Sequence, residues 1–233
     1  MNMKRILIKL SGEALKGKSS TSFSQEVLTE IGDKIHALVS KGIQIGIVVG
    51  GGNIFRGKES ISSLNRPQAD HMGMLATIIN GIALQNVLAH KGIKSQVFSA
   101  LPVLGVCEIF NHQKAIDALE AGQVAICVGG GGNPYFTTDT AAVLRALELK
   151  CDALLKATKV DGVYEDDPHV NKQAKRFDKL SYAEVMKKDL KVMDATAITL
   201  AAEHKLRILV FSLLEENCFE KVLNNQLTHT IIS

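Results

Sequence analysis

Short apolar runs rich in Ile and Val alternate along the chain with stretches of helical periodicity. KRILIKL (4–10), IQIGIVV (43–49), SQVFSA (95–100), QVAICV (123–128), DALLKA (152–157) and LRILVF (206–211) read as strands. Several are apolar on both faces, as parallel strands covered by helices on each side must be. Helix-like stretches lie between them at about 25–40, 70–91, 113–121, 138–150, 195–204 and 217–224, and SYAE (181–184) is a capping box that opens one more. The alternation predicts an α/β fold: a doubly wound, mainly parallel sheet with helices on both faces. Asp161-Gly162, between KATKV and VYEDDP, reads as a hairpin turn and predicts a small antiparallel excursion. No linker or low-complexity segment interrupts the pattern, so residues 1–233 read as a single domain.

The stretch 70–91 is more apolar than one buried face requires. Met72, Leu75, Ile78, Ile79 and Ile82 fall on one side, while Met74, Leu84, Val87 and Leu88 widen the surface, and Gly73 and Gly81 permit close approach. The surplus is either deep core or a subunit interface.

Composition narrows the function classes. A net charge of +3 arises from 27 basic and 24 acidic residues spread along the chain, with eight Phe and three Tyr. No basic block interleaved with aromatics points to nucleic acid. Cys107, Cys127, Cys151 and Cys218 form no C-x-x-C and lie in or beside apolar stretches, which predicts buried, reduced thiols and a cytoplasmic protein. The start, MNMKRILIKLSGE, is interrupted by Lys9 and Glu13 before it reaches signal-peptide length. No segment is expected to approach the roughly 20 apolar residues that span a bilayer.

The chemistry gathers at strand ends. IVVGGGN (47–53) and ICVGGGGN (126–133) are both a buried strand, a glycine run and an Asn, and in open α/β sheets ligands sit beyond the carboxyl ends of the strands. Such runs are either tight strand-to-helix turns or cradles whose converging backbone N–H groups take an anion. Gly52 through Lys58 nearly spells a P-loop, but Glu59 stands where a hydroxyl is needed, and the polar ESISSLNRPQ follows, without a helical stripe and meeting Pro67. Lys58 is therefore not read as a P-loop lysine. Lys9, just before Ser11-Gly12, and Lys156, closing DALLK, end buried strands; each is either a snorkelling lysine or an ammonium held over phosphates. Arg56 is either a solvated loop residue or a phosphate fork. The seven histidines form no H-E-x-x-H or similar cluster, so none is read as a metal ligand. Neither glycine run supplies the G-x-G-x-x-G of a dinucleotide fold.

KLSGE, GGGNIFRG, DHMGMLAT, GNPYFTTD, LKATKVDGVY and LKVMD together resemble the bacterial uridylate (UMP) kinases of the amino-acid kinase superfamily, over nearly the whole chain. The resemblance implies transfer of the γ-phosphoryl group of ATP to UMP with Mg²⁺, giving UDP and ADP in pyrimidine nucleotide biosynthesis. It implies an acceptor-binding part at roughly 1–150 and an ATP-binding part at roughly 151–233. Lys9, Leu10, Ser11 and Gly12 would line the ATP phosphates, with Lys9 on the transferring group. Gly51 would face the acceptor phosphate, Gly52 the donor, and Arg56 both. Asp70, which begins the helix 70–91 and could also be its N-cap, would take the ribose hydroxyls of UMP. Gly131, Gly132, Asn133, Pro134, Tyr135, Phe136, Thr137 and Thr138 would wrap the UMP; Gly130-Gly131 stands where the family often has Thr or Ser. Asp139 and Asp194, each also a possible helix cap, would orient Lys9 and Lys156 at the reaction centre and help hold the metal-nucleotide rather than act as bases. Thr158, Tyr164 and Asp167 fall where the family holds adenine and its ribose.

The family is one of homohexamers, trimers of dimers, inhibited by UTP and commonly activated by GTP. Here KGKSSTSFS (16–24) replaces a glycine-rich segment of some members, and Gln85, Asn86 and Gln96 stand where fixed positive charge would be wanted, with Lys91 and Lys94 nearby. UTP inhibition is expected to persist and GTP activation to be weak or absent. The rival readings are a relative that phosphorylates a carboxylate or carbamate, which would not need GNPYFTTD with Arg56 and Asp70, and a non-catalytic nucleotide sensor, which could lose Lys9 or Asp194.

Overall fold

A computed structural model describes residues 3–56 and 63–233; Gly57, Lys58 and Glu59 lie outside the described residues. The strands are β1 (Arg5–Leu10), β2 (Gln44–Val49), β3 (Ser95–Ser99), β4 (Glu108–Ile109), β5 (Val124–Val128), β6 (Ala153–Thr158), β7 (Val163–Tyr164), β8 (Arg176–Phe177), β9 (Lys179–Leu180), β10 (Ile208–Ser212) and β11 (His229–Ile232). The helices are α1 (Gly12–Lys16), α2 (Gln25–Val39), α3 (Arg66–His90), α4 (His112–Glu120), α5 (Thr138–Glu148), α6 (Tyr182–Lys187), α7 (Ala195–Glu203) and α8 (Cys218–Leu223).

Nine strands form one sheet in the order β4-β3-β5-β2-β1-β6-β10-β11-β9. Every pairing in it is parallel except β10 with β11. The six apolar runs are its centre, and their alternation feeds two cores. Ile6, Ile8 and Leu10 of β1 pack on one face with side chains of α2, α3 and α8. Leu7 points to the other face, among residues of α4, α5, α6 and α7. Burial on both faces is why these strands read as continuous apolar runs. The chain runs outward from β1 to β2 and returns to β6 on the other side, so the carboxyl ends of β1 and β6 flank the crevice where the connections part.

Four expectations are corrected. Helix α3 begins at Arg66, not at 70; Asn65 is its N-cap, accepting from the Gln68 N–H at 3.0 Å, and Pro67 sits in the first turn, where its fixed φ suits a helix. Asp70 is therefore neither the first residue nor the cap. Asp161-Gly162 is not a hairpin turn: the antiparallel pair is β7 with β8, joined across residues 165–175, and Gly162 has no positive φ. A Cβ at Gly162 would come within 2.6 Å of Thr230 Oγ1, so that glycine serves close packing. The third correction concerns α3 again, which by length and composition is apolar enough to cross a membrane, the one such helix among the described residues. It is a core helix, packed on β2, β3, β5 and α2. Its apolar side also divides: Ile78 is buried, while Met72, Leu75, Ile79 and Ile82 are exposed. The fourth is that Cys107 and Cys151 are only partly buried, although all four thiols are free and burial pushes Cys127 up to about 12.

Candidate active site

Parallel pairing places Lys9 of β1 in register with Lys156 of β6. Two ammonium groups on adjacent buried strands require a counter-ion. Asp139, in the first turn of α5, supplies it: Lys9 Nζ lies 3.1 Å from Oδ1 and Lys156 Nζ 2.9 Å from Oδ2. Lys156 also donates to the Val192 carbonyl. Burial pushes the Asp139 carboxyl up, but the charge of Lys9, and then that of Lys156, outweighs it and holds the carboxyl below its ordinary value. Burial also draws the Lys156 ammonium below its usual value, against the pull of Asp139.

Of the readings open for Asp194, the helix cap is the one its hydrogen bonds display. Asp194 caps α7 through the Ala197 N–H at 2.9 Å, which turns its carboxylate toward α5. There it accepts from the hydroxyls of Thr137 and of Thr140, the latter at 2.9 Å to both oxygens. Its charge acts on Lys156 only through space. Thr137 is the N-cap of α5, so the amino ends of α5 and α7 are tied together beside the lysines. Helix amino ends carry unsatisfied N–H groups and partial positive charge, which suits an anion.

The turn after β1 packs onto the turn after β2. A Cβ at Gly12 would meet Asn53 Oδ1 at 2.5 Å and the backbone of Gly50 and Gly52 at 2.7 Å, so only glycine fits there. Leu10 is fully buried in the core, which leaves only its backbone for a ligand, and its carbonyl accepts from Gly50 N–H at 2.9 Å. Ser11 Oγ caps α1. Arg56 bonds the Gly52 carbonyl at 3.2 Å and Glu13 at 2.5 Å, and Lys159 reaches the other Glu13 oxygen at 3.3 Å. Glu13 thus bridges two cations at the mouth of the crevice. The turn after β5 is built differently: Gly129, Gly130 and Gly132 all have φ between 60° and 83°.

Two cavities open at this edge of the sheet. One, of about 420 Å³, is lined by Gly51, Gly52, Arg66, Asp70, Gly131, Phe136, Thr137 and Thr138, among others. Asp70 is held there by Arg66 Nε, at 2.7 and 2.9 Å to its two oxygens, and accepts from the Tyr135 N–H at 2.7 Å. Gly132, Asn133, Pro134 and Tyr135 do not line it; Tyr135 lies under the Arg66 guanidinium, 5.7 Å from its ring centre. The other cavity, of about 650 Å³, is lined by Lys156, Thr158, Tyr164, Asp167, Lys191 and Val192, among others. Tyr164 donates to Asp161 at 2.6 Å, and Thr158 donates to the Val160 carbonyl at 2.7 Å. Thr138 of the first cavity is the chain neighbour of Asp139, whose partner Lys156 lines the second, so the ion triad lies where the two sites adjoin. Among the described residues no group of three or more His, Cys, Asp and Glu gathers as a metal cage.

Glu13, Arg66, Thr140 and Lys159 were not picked out from the sequence. The Arg66/Asp70 spacing of four residues is the signal that could have flagged one of them, had the helix been extended through Pro67.

The amino acid kinase family model matches residues 4–212. A uridylate kinase of Anaplasma phagocytophilum (strain HZ) is 48% identical over 229 residues, which cover 98% of this chain and 94% of that protein. The crystal structure of UMP kinase from Ureaplasma parvum superimposes with a TM-score of 0.95 at 37% identity, covering 100% of both chains. That of UMP kinase from Bacillus anthracis gives 0.96 at 38% identity, covering 100% of this chain and 97% of that one.

Proposed function

Since this chain belongs to the amino acid kinase family, and within it to the uridylate kinases, we propose that it transfers the γ-phosphoryl group of ATP to UMP. The observation that carries the assignment of roles is the Lys9–Asp139–Lys156 triad at the junction of two cavities. UMP occupies the 420 Å³ cavity, with its ribose hydroxyls on Asp70 and its phosphate on the glycine turns and the amino end of α5. ATP occupies the 650 Å³ cavity, with adenosine near Thr158, Tyr164 and Asp167. On this reading the acceptor part is roughly 1–150 and the donor part roughly 151–233. An ionised oxygen of the UMP phosphate attacks the γ-phosphorus, the bond to the bridging oxygen of ADP breaks, and the electron pair leaves on the β-phosphate. The nucleophile is already deprotonated near neutral pH, so positioning and charge neutralisation supply the catalysis. Lys9 meets charge on the transferring group, Asp139 holds Lys9 and Lys156 in register, and Arg56 leaves Glu13 to fork phosphate oxygens. Mg²⁺ arrives as part of the ATP substrate; an ion that keeps its waters and binds mainly through phosphates needs no protein cage.

A coupled ADP-release assay with ATP-Mg²⁺ against UMP, CMP, dUMP, AMP and acetylglutamate tests this. UMP is the preferred acceptor, and CMP falls below it by on the order of 10²-fold or more in kcat/KM, because a site built for one base edge leaves polar groups unpaired on another. Equal kcat/KM for UMP and CMP would remove the uracil reading. The same assay reads the effectors. UTP competes with UMP, and about millimolar GTP changes velocity less than twofold, a level at which couplings of ~1–3 kcal/mol are visible. What supports the GTP expectation is the 630 Å³ cavity beside Gln85 and Asn86, whose one charged lining residue is Lys94, while Lys91 is paired with Asp33.

The protein works in the cytoplasm as a homohexamer, a trimer of dimers. The exposed stripe of Met72, Leu75, Ile79 and Ile82 at heptad-like spacing on α3 supports a subunit interface on that helix. Ile79→Glu puts a charge in its middle and shifts sedimentation to a smaller species; an unchanged sedimentation coefficient would place the interface elsewhere.

A further inference from the structure

One helix braces both glycine turns. Thr77 and Asn80 lie three residues apart on α3 and so share a face. The Thr77 hydroxyl accepts from the Gly129 N–H at 2.8 Å and donates to the Met74 carbonyl at 2.7 Å. The Asn80 amide donates to the Gly50 carbonyl at 2.6 Å and to Asn53 Oδ1 at 2.8 Å, and Asn53 donates back to Asn80 Oδ1 at 3.0 Å. Asn53 also holds the Ser22 carbonyl at 2.9 Å. Asn80 is 0% exposed, and Thr77, 4% exposed, borders the 420 Å³ cavity, so losing either side chain orphans a largely buried partner.

Packing fixes the helix against the same turns. A Cβ on Gly51 would come within 2.7 Å of the Gly73 carbonyl, and one on Gly81 would collide with Val128. The β2–β5 ladder ends at the pair Val48 and Cys127, so the turns themselves extend past it.

We propose that Thr77 and Asn80 are positioning residues that set the spacing between the two glycine turns, and through it the seat of the acceptor phosphate. This rests on the phosphoryl-transfer reading above. It gives α3 a second duty, since the helix that carries the exposed apolar stripe also holds the turns on its inner face.

The test compares Thr77→Val, which keeps the shape and removes the hydroxyl, with Thr77→Ser, which keeps the hydroxyl. Thr77→Val raises the KM for UMP about tenfold, the scale of one orphaned buried donor, and leaves the KM for ATP within twofold; Thr77→Ser restores the wild-type value. Native-state hydrogen exchange reads the brace without turnover: the Gly129 amide is protected in wild type and Thr77→Ser and exchanges rapidly in Thr77→Val. Combining Thr77→Val with Asn80→Leu costs less than the product of the two single losses, since either one already frees the spacing. A Thr77→Val protein with wild-type KM for UMP overturns the proposal. A raised KM with the Gly129 amide still protected does so too, since Thr77 borders the acceptor cavity and would then act by touching UMP. So does an equal rise in both KM values that Thr77→Ser fails to reverse, which is general loosening. Wild-type protein that releases no ADP with UMP overturns the phosphoryl-transfer reading instead, and Gly129 exchange then still decides the brace.

Discussion

Lys9→Met lowers kcat by on the order of 10²–10³-fold in the ADP-release assay, as loss of a group that meets transition-state charge does, and the protein stays folded. The geometry explains why the two outcomes separate. Asp139 still has Lys156 at 2.9 Å after Lys9 is gone, so no buried charge is stranded. Methionine keeps most of the apolar stem of lysine, and with it the packing of β1 against β6. In the role proposed for it, the lysine acts on charge that develops during transfer, and kcat and kcat/KM for ATP fall together rather than KM rising alone. A Lys9→Met enzyme within about threefold of wild type, against that expectation, would move the transferring group away from β1 and leave Lys156 or Arg56 as its cation.

The centre of the fold was legible because its strands are buried on both faces. Ile6, Leu7 and Ile8 are all apolar, one serving the core opposite to its neighbours, and nothing but a covered parallel strand asks for that. The pieces that escaped carry no such pattern. β4, β7, β8 and β9 are two residues each, too short for any periodicity, and β11 is a short strand whose antiparallel partner, β10, is fixed by tertiary pairing. Helix α1 has five residues and depends on the Ser11 cap and the packing of Gly12. The start of α3 lies four residues before the expected one, beyond Pro67, because proline obstructs a helix only past its first turn.

The site divides in the same way. Two lysines at the ends of two buried strands were visible as an anomaly along the chain. That they stand in register across a β1–β6 pairing, and share one carboxylate from a third element, depends on strand order, which no local pattern encodes. Asp194 is legible as a helix cap, but the threonines of α5 that its carboxylate meets follow from the packing of α5 on α7. Glu13 reads in the sequence only as a break in an apolar run, yet it bridges Arg56 and Lys159.

Asp139→Asn has the larger structural consequence. It leaves two ammonium groups on neighbouring strands with no counter-charge between them, one of which burial already disfavours. Removing one partner of a buried ionic cluster costs about 3–5 kcal/mol, so thermal unfolding at neutral pH comes well below wild type. The pH dependence carries the sign. The Asp139 carboxyl is held below its ordinary value in the fold, so its contribution is present above the usual carboxylate range and is lost as pH falls through the lowered folded value. The stability gap between wild type and Asp139→Asn is therefore widest near neutrality and closes on acidification. Activity moves at the other end of the scale. Asp139 supports the charged form of Lys156 against burial, so without it that ammonium gives up its proton at a lower pH than in wild type, and kcat declines on the alkaline side earlier. Residual kcat is lower by on the order of 10²-fold, since both lysines lose the carboxylate that aims them. Unfolding scans from acid to neutral pH, with kcat profiles from neutral to alkaline pH, measure both shifts. A stability gap that stays constant down to strong acid, or an alkaline limb that does not move, would mean that Asp139 shapes the amino end of α5 and leaves the charge of the lysines alone.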